Sequence, residues 1–244
     1  MADYVRKTIL SQSYTHIEKI SLSEEQKRDY EAQIHGYQKP RAKILLGVDI
    51  EPEVRTKDGS LIVYSTVYGS LADALGPTTE FQKSLNQLYS SSKMLAEACI
   101  LESLFAAGTV KGHVLRSEAR TGVVKTTKNL FDLVTRLGTT KQQESHKRLD
   151  AILDILDKKI VFLDQQFEYA RDRKLVWENL FPLLKHLRAV FHRLPVNPND
   201  DRLKIYKDRI TEMMDLIKKY SLDVNDRKSE ASDVDAGSDE LDSF

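Results

Sequence analysis

The segment from Leu149 to Ala170 carries the pattern that most constrains the fold. Its apolar side chains recur at alternating steps of four and three residues, the heptad spacing of a helix that buries one stripe. The stripe, called here the heptad seam, comprises Leu149, Leu153, Leu156, Ile160, Leu163, Phe167 and Ala170. With Thr139 or Thr140 as N-cap, a helix ending at Arg173 would be about 52 Å long at 1.5 Å per residue. Such a helix needs a partner surface, either in the same chain or in another copy.

A second heptad pattern runs from Leu203 to Tyr220 and predicts a helix that can pack against the first. Between the two patterns, apolar residues from Trp177 to Leu194 indicate another helix, in which Pro182 forces a kink or a new start. Further upstream, apolar spacing predicts helices over 79–107 and 123–137.

The N-terminal region contains two overlapping capping-box patterns. Ser21 and Ser23 each stand three positions before a glutamate or glutamine, which is a start signal for a helix. We therefore expect a helix over about 22–36. Lys39-Pro40 is expected to close it, because proline disfavours a helical residue before it and has no N–H to donate.

Residues 43–71 change to a period of two, which predicts an amphipathic antiparallel β-hairpin. Asp58-Gly59 supplies the turn, since a type I′ turn needs residues that accept positive φ. With that turn the numbers of paired residues add to 117, so Val54 lies opposite Val63. One face of the hairpin is then apolar throughout, and Tyr64 lies on the other face.

The patterns together predict a mainly α protein, a bundle of long heptad-patterned helices with one inserted hairpin. We divide the chain into an N-terminal helical segment 1–40, the β-hairpin 41–72, a helical bundle 73–220 and an acidic tail 221–244. The tail carries eight acids against two basic residues, a net charge of −6, and is expected to be disordered. Its tip, ending at Phe244, resembles the acidic tails with which single-stranded-DNA-binding proteins recruit partners.

Composition excludes several function classes. The 37 basic residues balance 37 acidic ones, which argues against a protein that coats nucleic acid with its whole surface. Cys99 is the single cysteine and no two histidines are four residues apart, so neither a disulfide framework nor a metal site is expected. The chain contains no nucleophile elbow, and Gly122 to Thr126 lacks the glycines of a phosphate-binding loop. We expect no enzymatic activity, cofactor or small-molecule substrate.

The span 111–148 is locally basic. It holds nine basic residues against three acids, a net charge of +6. Such a patch suits the phosphates of nucleic acid or an anionic lipid surface. The candidate contact residues are Arg116, Arg120, Lys125 and Lys128.

Three functions remain open on the sequence alone. The first is a non-enzymatic protein–protein interaction or assembly module, which binds a protein partner or itself. Its candidate contact residues are Leu149, Leu153, Leu156, Ile160, Leu163, Phe167 and Phe244. The second is a membrane-acting effector, because long helical bundles with a β-hairpin resemble helical pore-forming toxins with a β-tongue. The third is nucleic-acid binding through 111–148. The start of the chain shows no signal peptide and no stretch suits a transmembrane helix, so a cytoplasmic location is expected.

Overall fold

The computed structural model describes residues 8–18, 22–47, 51–57, 61–108, 113–139, 146–191 and 201–232. Their elements in chain order are β1 (Ile9–Ile17), α1 (Glu24–Leu46), β2 (Glu53–Lys57), β3 (Leu61–Tyr68), α2 (Leu71–Leu75), α3 (Phe81–Ala106), β4 (Val114–Arg120), α4 (Gly122–Thr139), α5 (His146–Gln166), α6 (Ala170–Val190) and α7 (Arg202–Ser232). The protein is mainly helical, which confirms the predicted fold class.

The chain divides into two compact units. Unit 1 comprises Met1–Asn129 and Gln166–Tyr169, and unit 2 comprises Leu130–Gln165 and Ala170–Phe244. The segment limits expected at residues 40, 72 and 220 concern stretches of sequence rather than compact units and stay predictions.

Unit 1 is built on a four-stranded antiparallel sheet with the strand order β2-β3-β1-β4. The elements follow one another as strand, helix, two strands, helix and strand, with the short α2 inserted, which is the split β-α-β arrangement. Helices α1 and α3 pack on the same face of the sheet. Thr56 of β2 donates from its backbone N–H to Glu31 Oε1 of α1 at 2.8 Å, and Ser11 Oγ of β1 donates to the Ser92 carbonyl of α3 at 2.8 Å.

The core of unit 1 lies between this face and the two helices. Ile17, Leu61 and Val63 are buried against Tyr30 and Ile34 of α1. Three other inward residues of β1 are polar: Ser11, Ser13 and Thr15 are all fully buried or nearly so.

Helix α1 is longer than the sequence indicated. It continues through Pro40 to Leu46 and ends at Gly47, which has φ 68° and whose N–H donates to the Lys43 carbonyl at 3.1 Å. Burial explains the extension, because every fourth residue of the helix faces the core. These residues are Tyr30, Ile34, Gln38, Ala42 and Leu46. The predicted strand over 43–46 is therefore wrong, and Ile44 is 80% exposed on the outer side of the helix.

The hairpin of β2 and β3 forms, but its register differs from the predicted one. Val54 pairs with Ser65 and Thr56 pairs with Val63, so the numbers of paired residues add to 119 rather than 117. The last pair is Lys57 with Ile62, which leaves four residues between them instead of two. A shift of two residues keeps every side chain on its predicted face. The turn Asp58-Gly59 lies outside the described residues.

Unit 2 is a bundle of the C-terminal half of α4 with α5, α6 and α7. Asp164 of α5 accepts a hydrogen bond from Trp177 Nε1 of α6 at 3.2 Å. Arg209 of α7 bridges Asp154 and Asp157 of α5, with N–O distances of 2.7 and 2.8 Å. The heptad positions of α5 and α7 that are fully buried in the bundle are Leu149, Leu153, Leu156, Ile160, Leu163, Tyr206, Ile210, Met213 and Ile217.

The single helix expected to end at Arg173 is in fact two helices. Helix α5 ends at Gln166, residues 167–169 are non-helical, and α6 begins at Ala170. The break occurs where Thr8 intervenes: its hydroxyl donates to the Gln166 carbonyl at 3.2 Å and accepts from the Glu168 N–H at 3.3 Å. Each bond joins Thr8 to a residue about 160 positions away in sequence. The residues around Gln166 therefore carry no sequence signal for the break.

Two further expectations concern the C-terminal region. Helix α6 passes through Pro182 without ending. Helix α7 extends to Ser232, past the expected segment limit at 220, which stays a prediction. The remainder of the expected tail, with Phe244, lies outside the described residues.

Candidate functional site

The sheet of unit 1 has a second face, opposite to the one that α1 and α3 cover. Pairing across the strands places alternate residues of all four strands on it, and we call it the open sheet face. Its members in order from β2 to β4 are Glu53, Arg55, Lys57, Ile62, Tyr64, Thr66, Tyr68, Gln12, Tyr14, His16, Arg116, Glu118 and Arg120.

Two tyrosines lie side by side at the centre of the open sheet face. Tyr14 of β1 and Tyr64 of β3 are direct cross-strand partners. Their ring centroids are 5.2 Å apart and the ring planes are inclined at 61°, an edge-to-face pair of favourable geometry. Both rings are only partly buried, so they present aromatic surface to solvent.

Basic side chains flank both rings. Lys57 Nζ lies 5.4 Å from the centroid of Tyr64. On the opposite side, the guanidinium carbons of Arg120 and Arg116 lie 5.2 and 5.8 Å from the centroid of Tyr14. These distances are within the range of cation–π attraction.

The open sheet face carries a net positive charge. Arg55, the cross-strand neighbour of Tyr64, joins the three flanking cations, and Glu53 and Glu118 oppose them. Four cations and two carboxylates give the described side chains of this face a formal net charge of +2 with His16 neutral. The patch is local, because the whole chain has a net charge of zero.

Glu118 organises the β4 side of the face. It accepts from Arg116 Nε at 2.5 Å through Oε1, and from Arg120 Nε and Nη2 at 2.8 and 2.5 Å through Oε2. These hydrogen bonds, first from Arg120 and then from Arg116, hold the pKa of Glu118 below its ordinary value. The carboxylate is in register with Tyr14, so both arginines are drawn towards that ring.

A polar row borders the two tyrosines. Gln12 donates from Nε2 to Thr66 Oγ1 at 2.9 Å and accepts from Arg120 Nη1 at 3.4 Å. Tyr68 ends the row near Glu53, and its pKa is raised, first by burial and then by the charge of Glu53. Amide, hydroxyl and guanidinium groups therefore lie beside flat aromatic surface.

The four basic candidates from the sequence separate into two groups. Arg116 and Arg120 lie together on the open sheet face. Lys125 and Lys128 lie on α4 instead, and Lys128 Nζ is 5.5 Å from the ring of Tyr89 on α3. The structure thus brings two of the four to the tyrosines and places the other two elsewhere in unit 1.

The apolar interaction candidates are core residues within this single chain. Their exposed fractions lie between 0 and 3%, so they present no surface to a partner in the folded chain. They are Leu149, Leu153, Leu156, Ile160, Leu163 and Phe167. Phe244 lies outside the described residues.

Sequence analysis missed Tyr14, Tyr64 and Gln12 as candidates. The strand that holds Gln12 and Tyr14 was not recognised, because three of its inward positions are serine or threonine rather than apolar residues. The usable signal was the period-two spacing of Gln12, Tyr14 and His16, which puts large side chains on one face of a strand.

Other kinds of site find no support among the described residues. No group of three or more histidine, cysteine, aspartate or glutamate side chains there is arranged to hold a metal ion. Across the same residues, none of the helices combines the length and apolar character needed to span a bilayer. Comparison of the chain with known protein families, curated protein sequences and solved structures finds no match.

Proposed function

We propose that this protein is a non-enzymatic binding protein for single-stranded nucleic acid, with the open sheet face as its binding surface. The observation that carries the proposal is the Tyr14–Tyr64 pair, which is partly exposed at the centre of a four-stranded sheet and flanked by cations on both sides. A sheet that stacks bases on aromatic side chains is the means by which RNA recognition motifs bind single strands.

Stacking supplies the main attractive interaction in this proposal. A base stacked on an aromatic side chain contributes about 1–3 kcal/mol, and every base has a flat face to offer. Two neighbouring rings suit two successive nucleotides. A base-paired duplex cannot use them, since its bases are already stacked on one another.

The flanking cations fit the phosphates that accompany the bases. Arg55 and Lys57 lie at the β2 edge, beside Tyr64, where a backbone that follows the bases would pass. A local charge of +2 is modest, so stacking rather than counterion release accounts for most of the expected affinity. A cytoplasmic location, where single-stranded RNA is found, belongs to the same proposal.

The proposal is tested by fluorescence anisotropy with a labelled eight-nucleotide single strand of mixed sequence, as RNA and as DNA. We expect Tyr14→Ala and Tyr64→Ala each to weaken binding at least about fivefold, the loss that corresponds to one stacked base. Tyr37→Ala is the matched control, because Tyr37 also lies under an arginine, Arg41, at 3.5 Å, but on helix α1. Its affinity is expected to equal that of the wild type.

Two outcomes would contradict the proposal. One is the absence of binding to any single strand by the folded wild-type protein. The other is equal loss of binding in all three tyrosine variants, which would show that the open sheet face has no special part. A duplex of the same sequence serves as the competitor that should fail to displace the single strand.

The hypotheses of assembly and of membrane action remain predictions. The assembly hypothesis allowed the heptad seam to pack inside the chain or against another copy, and the seam residues from Leu149 to Leu163 are buried in unit 2. The membrane hypothesis depended on a free apolar hairpin face, and Val63 and Leu61 of that face are buried against α1. We therefore favour the open sheet face as the functional surface.

A further inference from the structure

The three charged residues of β4 carry an inference that rests on the proposed function and specifies the ligand. We propose that Glu118 is a positioning residue, which holds Arg116 and Arg120 as two donor forks around Tyr14 and makes this position selective for guanine.

The geometry resembles a clamp around one ring. Arg116 and Arg120 are two residues before and after Glu118 on the same strand face, and Glu118 pairs with Tyr14. The carboxylate takes the Nε and Nη2 edges of both guanidiniums. Each arginine carries five N–H donors in a fixed plane, so the second N–H of Nη2 and the N–H groups of Nη1 form another pair of donors at the end of each guanidinium. In Arg120, Nη1 also donates to Gln12 Oε1 at 3.4 Å.

The guanidinium groups of Arg120 and Arg116 lie over the Tyr14 ring without closely stacking on it. Their carbons are 5.2 and 5.8 Å from the ring centroid, whereas Arg41 stacks on Tyr37 at 3.5 Å. A base that stacks on Tyr14 would therefore arrive next to two guanidinium groups.

The negative charge of Glu118 also affects whether these arginines bind a phosphate or the edge of a base. A phosphate would bring a second negative charge close to the carboxylate, and like charges repel. A base edge carries no net charge and meets no such repulsion. The β4 arginines are thus better matched to a base than to the backbone, unlike Arg55 and Lys57 at the other edge of the sheet.

Among the four bases, guanine fits a guanidinium fork best. Its O6 and N7 are two adjacent acceptors, and arginine donates to both in the commonest specific contact between proteins and bases. Adenine presents an amino donor next to N7, which opposes an arginine donor. Gln12 Oε1 accepts from Arg120 Nη1 at 3.4 Å, which holds Arg120 on the Tyr14 side of the sheet.

The test uses eight-nucleotide oligouridylates that contain one central guanine, adenine, cytosine or 7-deazaguanine, measured by anisotropy with the full chain. We expect guanine to improve affinity about tenfold over uridine alone, the range of one good bidentate contact. We expect 7-deazaguanine, which lacks the N7 acceptor, to lose most of that gain.

Two variants separate positioning from simple charge. Glu118→Gln removes a negative charge from the binding surface, so its affinity for plain oligouridylate should rise, while the guanine preference falls to less than about threefold. Arg120→Lys keeps the charge but not the planar fork, so it should lose the preference with no change in salt dependence. Circular dichroism confirms that each variant is folded.

The outcomes distinguish this inference from the proposed function. If all oligonucleotides bind equally well and Tyr14→Ala still weakens binding, the guanine inference is overturned and the proposed function stands. If Glu118→Gln keeps the full guanine preference, Glu118 is not a positioning residue. If no oligonucleotide binds the wild-type protein, both are overturned.

Discussion

Gly122 joins β4 to α4 at a point where no other residue fits. It has φ +41°, and a Cβ built there would lie 2.3 Å from the carbonyl oxygen of Ile9. A non-glycine residue in this region of φ costs about 1–3 kcal/mol in strain alone, and the contact with β1 adds to that. We expect Gly122→Ala to lower the free energy of unfolding by at least about 2 kcal/mol in urea denaturation.

Gly36 provides the matched control for that substitution. It lies inside α1, and a Cβ there would meet nothing within 4 Å. Gly36→Ala is therefore expected to stabilise the protein by about 0.5–1 kcal/mol, the helix preference of alanine over glycine. Equal effects of the two substitutions would contradict the contact between Gly122 and Ile9.

The buried thiol of Cys99 should make the free energy of unfolding of unit 1 decrease at alkaline pH. Burial raises the pKa of its thiol from 9.0 to about 12, against smaller opposing effects of a hydrogen bond with Ser65 and the charge of Arg41. Because the folded pKa is the higher one, this stabilisation is complete below pH 9 and is lost as the pH rises towards 12.

Cys99→Ala tests that sign. The difference in free energy of unfolding between wild type and variant should be constant from pH 7 to 9 and shrink from pH 9 to 12. Tyr30, whose pKa burial raises from 10.0 to about 12, is present in both proteins and cancels. If the difference in free energy of unfolding between the two proteins stays constant up to pH 11, the raised pKa of the buried thiol is contradicted.

Single residues were predictable where their role is local. Ser23 and Gln26 form the expected capping box, with bonds of 2.9 and 3.2 Å between neighbours in sequence. The role of Gly122 depends on Ile9, which is more than 100 residues away, so inspection of the glycine and its neighbours could only exclude a phosphate loop. The same limit applies to Thr8 and its bonds to Gln166 and Glu168.

At the scale of elements, the hairpin faces can be tested by one pair of neighbours. Val63 is fully buried beneath α1, and Tyr64 lies on the open sheet face. Val63→Asp should destabilise the protein by more than about 3 kcal/mol, since it buries an unpaired charge. Tyr64→Asp should cost much less, as measured by thermal and urea unfolding. Similar losses for both would refute the assigned faces.

The heptad seam of α5 offers a second neighbouring pair. Leu156 is fully buried and Ile155 is 45% exposed. Leu156→Lys removes a buried side chain, which costs about 2–5 kcal/mol, and adds the desolvation of a charge. We expect loss of helicity by circular dichroism, with Ile155→Lys within about 0.5 kcal/mol of wild type. A Leu156→Lys protein that stays folded and merely loses mass in light scattering would mean that the seam joins two copies.

Elements were predictable where their buried face is apolar. The spacing of apolar residues located α3, α4 and the cores of α5 and α7, because a helix with a continuous apolar stripe needs no further information. Strands β1 and β4 were not predicted. In β1, Ser11, Ser13 and Thr15 face the core, and in β4 charged residues alternate with small ones. Pro40 likewise predicted an end of α1, but the helix continues past it because Ala42 and Leu46 are buried in the core.

At the scale of the whole molecule, amino-acid composition said less about the candidate site than the topology of the sheet does. A net charge of zero concealed the local positive charge of the open sheet face, because charges far apart in sequence meet only when β2, β3, β1 and β4 pair. The basic span 111–148 included Arg116 and Arg120 among its candidate contact residues, but it indicated neither their strand nor their aromatic neighbour, Tyr14. The candidate site exists only in the assembled sheet.

Mapping of the contact surface by NMR would show whether the open sheet face binds single-stranded RNA. Backbone amide and tyrosine ring resonances of the full chain would be followed while an unlabelled eight-nucleotide single-stranded RNA is added. We predict that the largest shifts occur at Tyr14, Tyr64 and their neighbours on β1, β3 and β4, with little change in α5 or α6. Shifts confined to the helices, or none at saturating RNA, would contradict it.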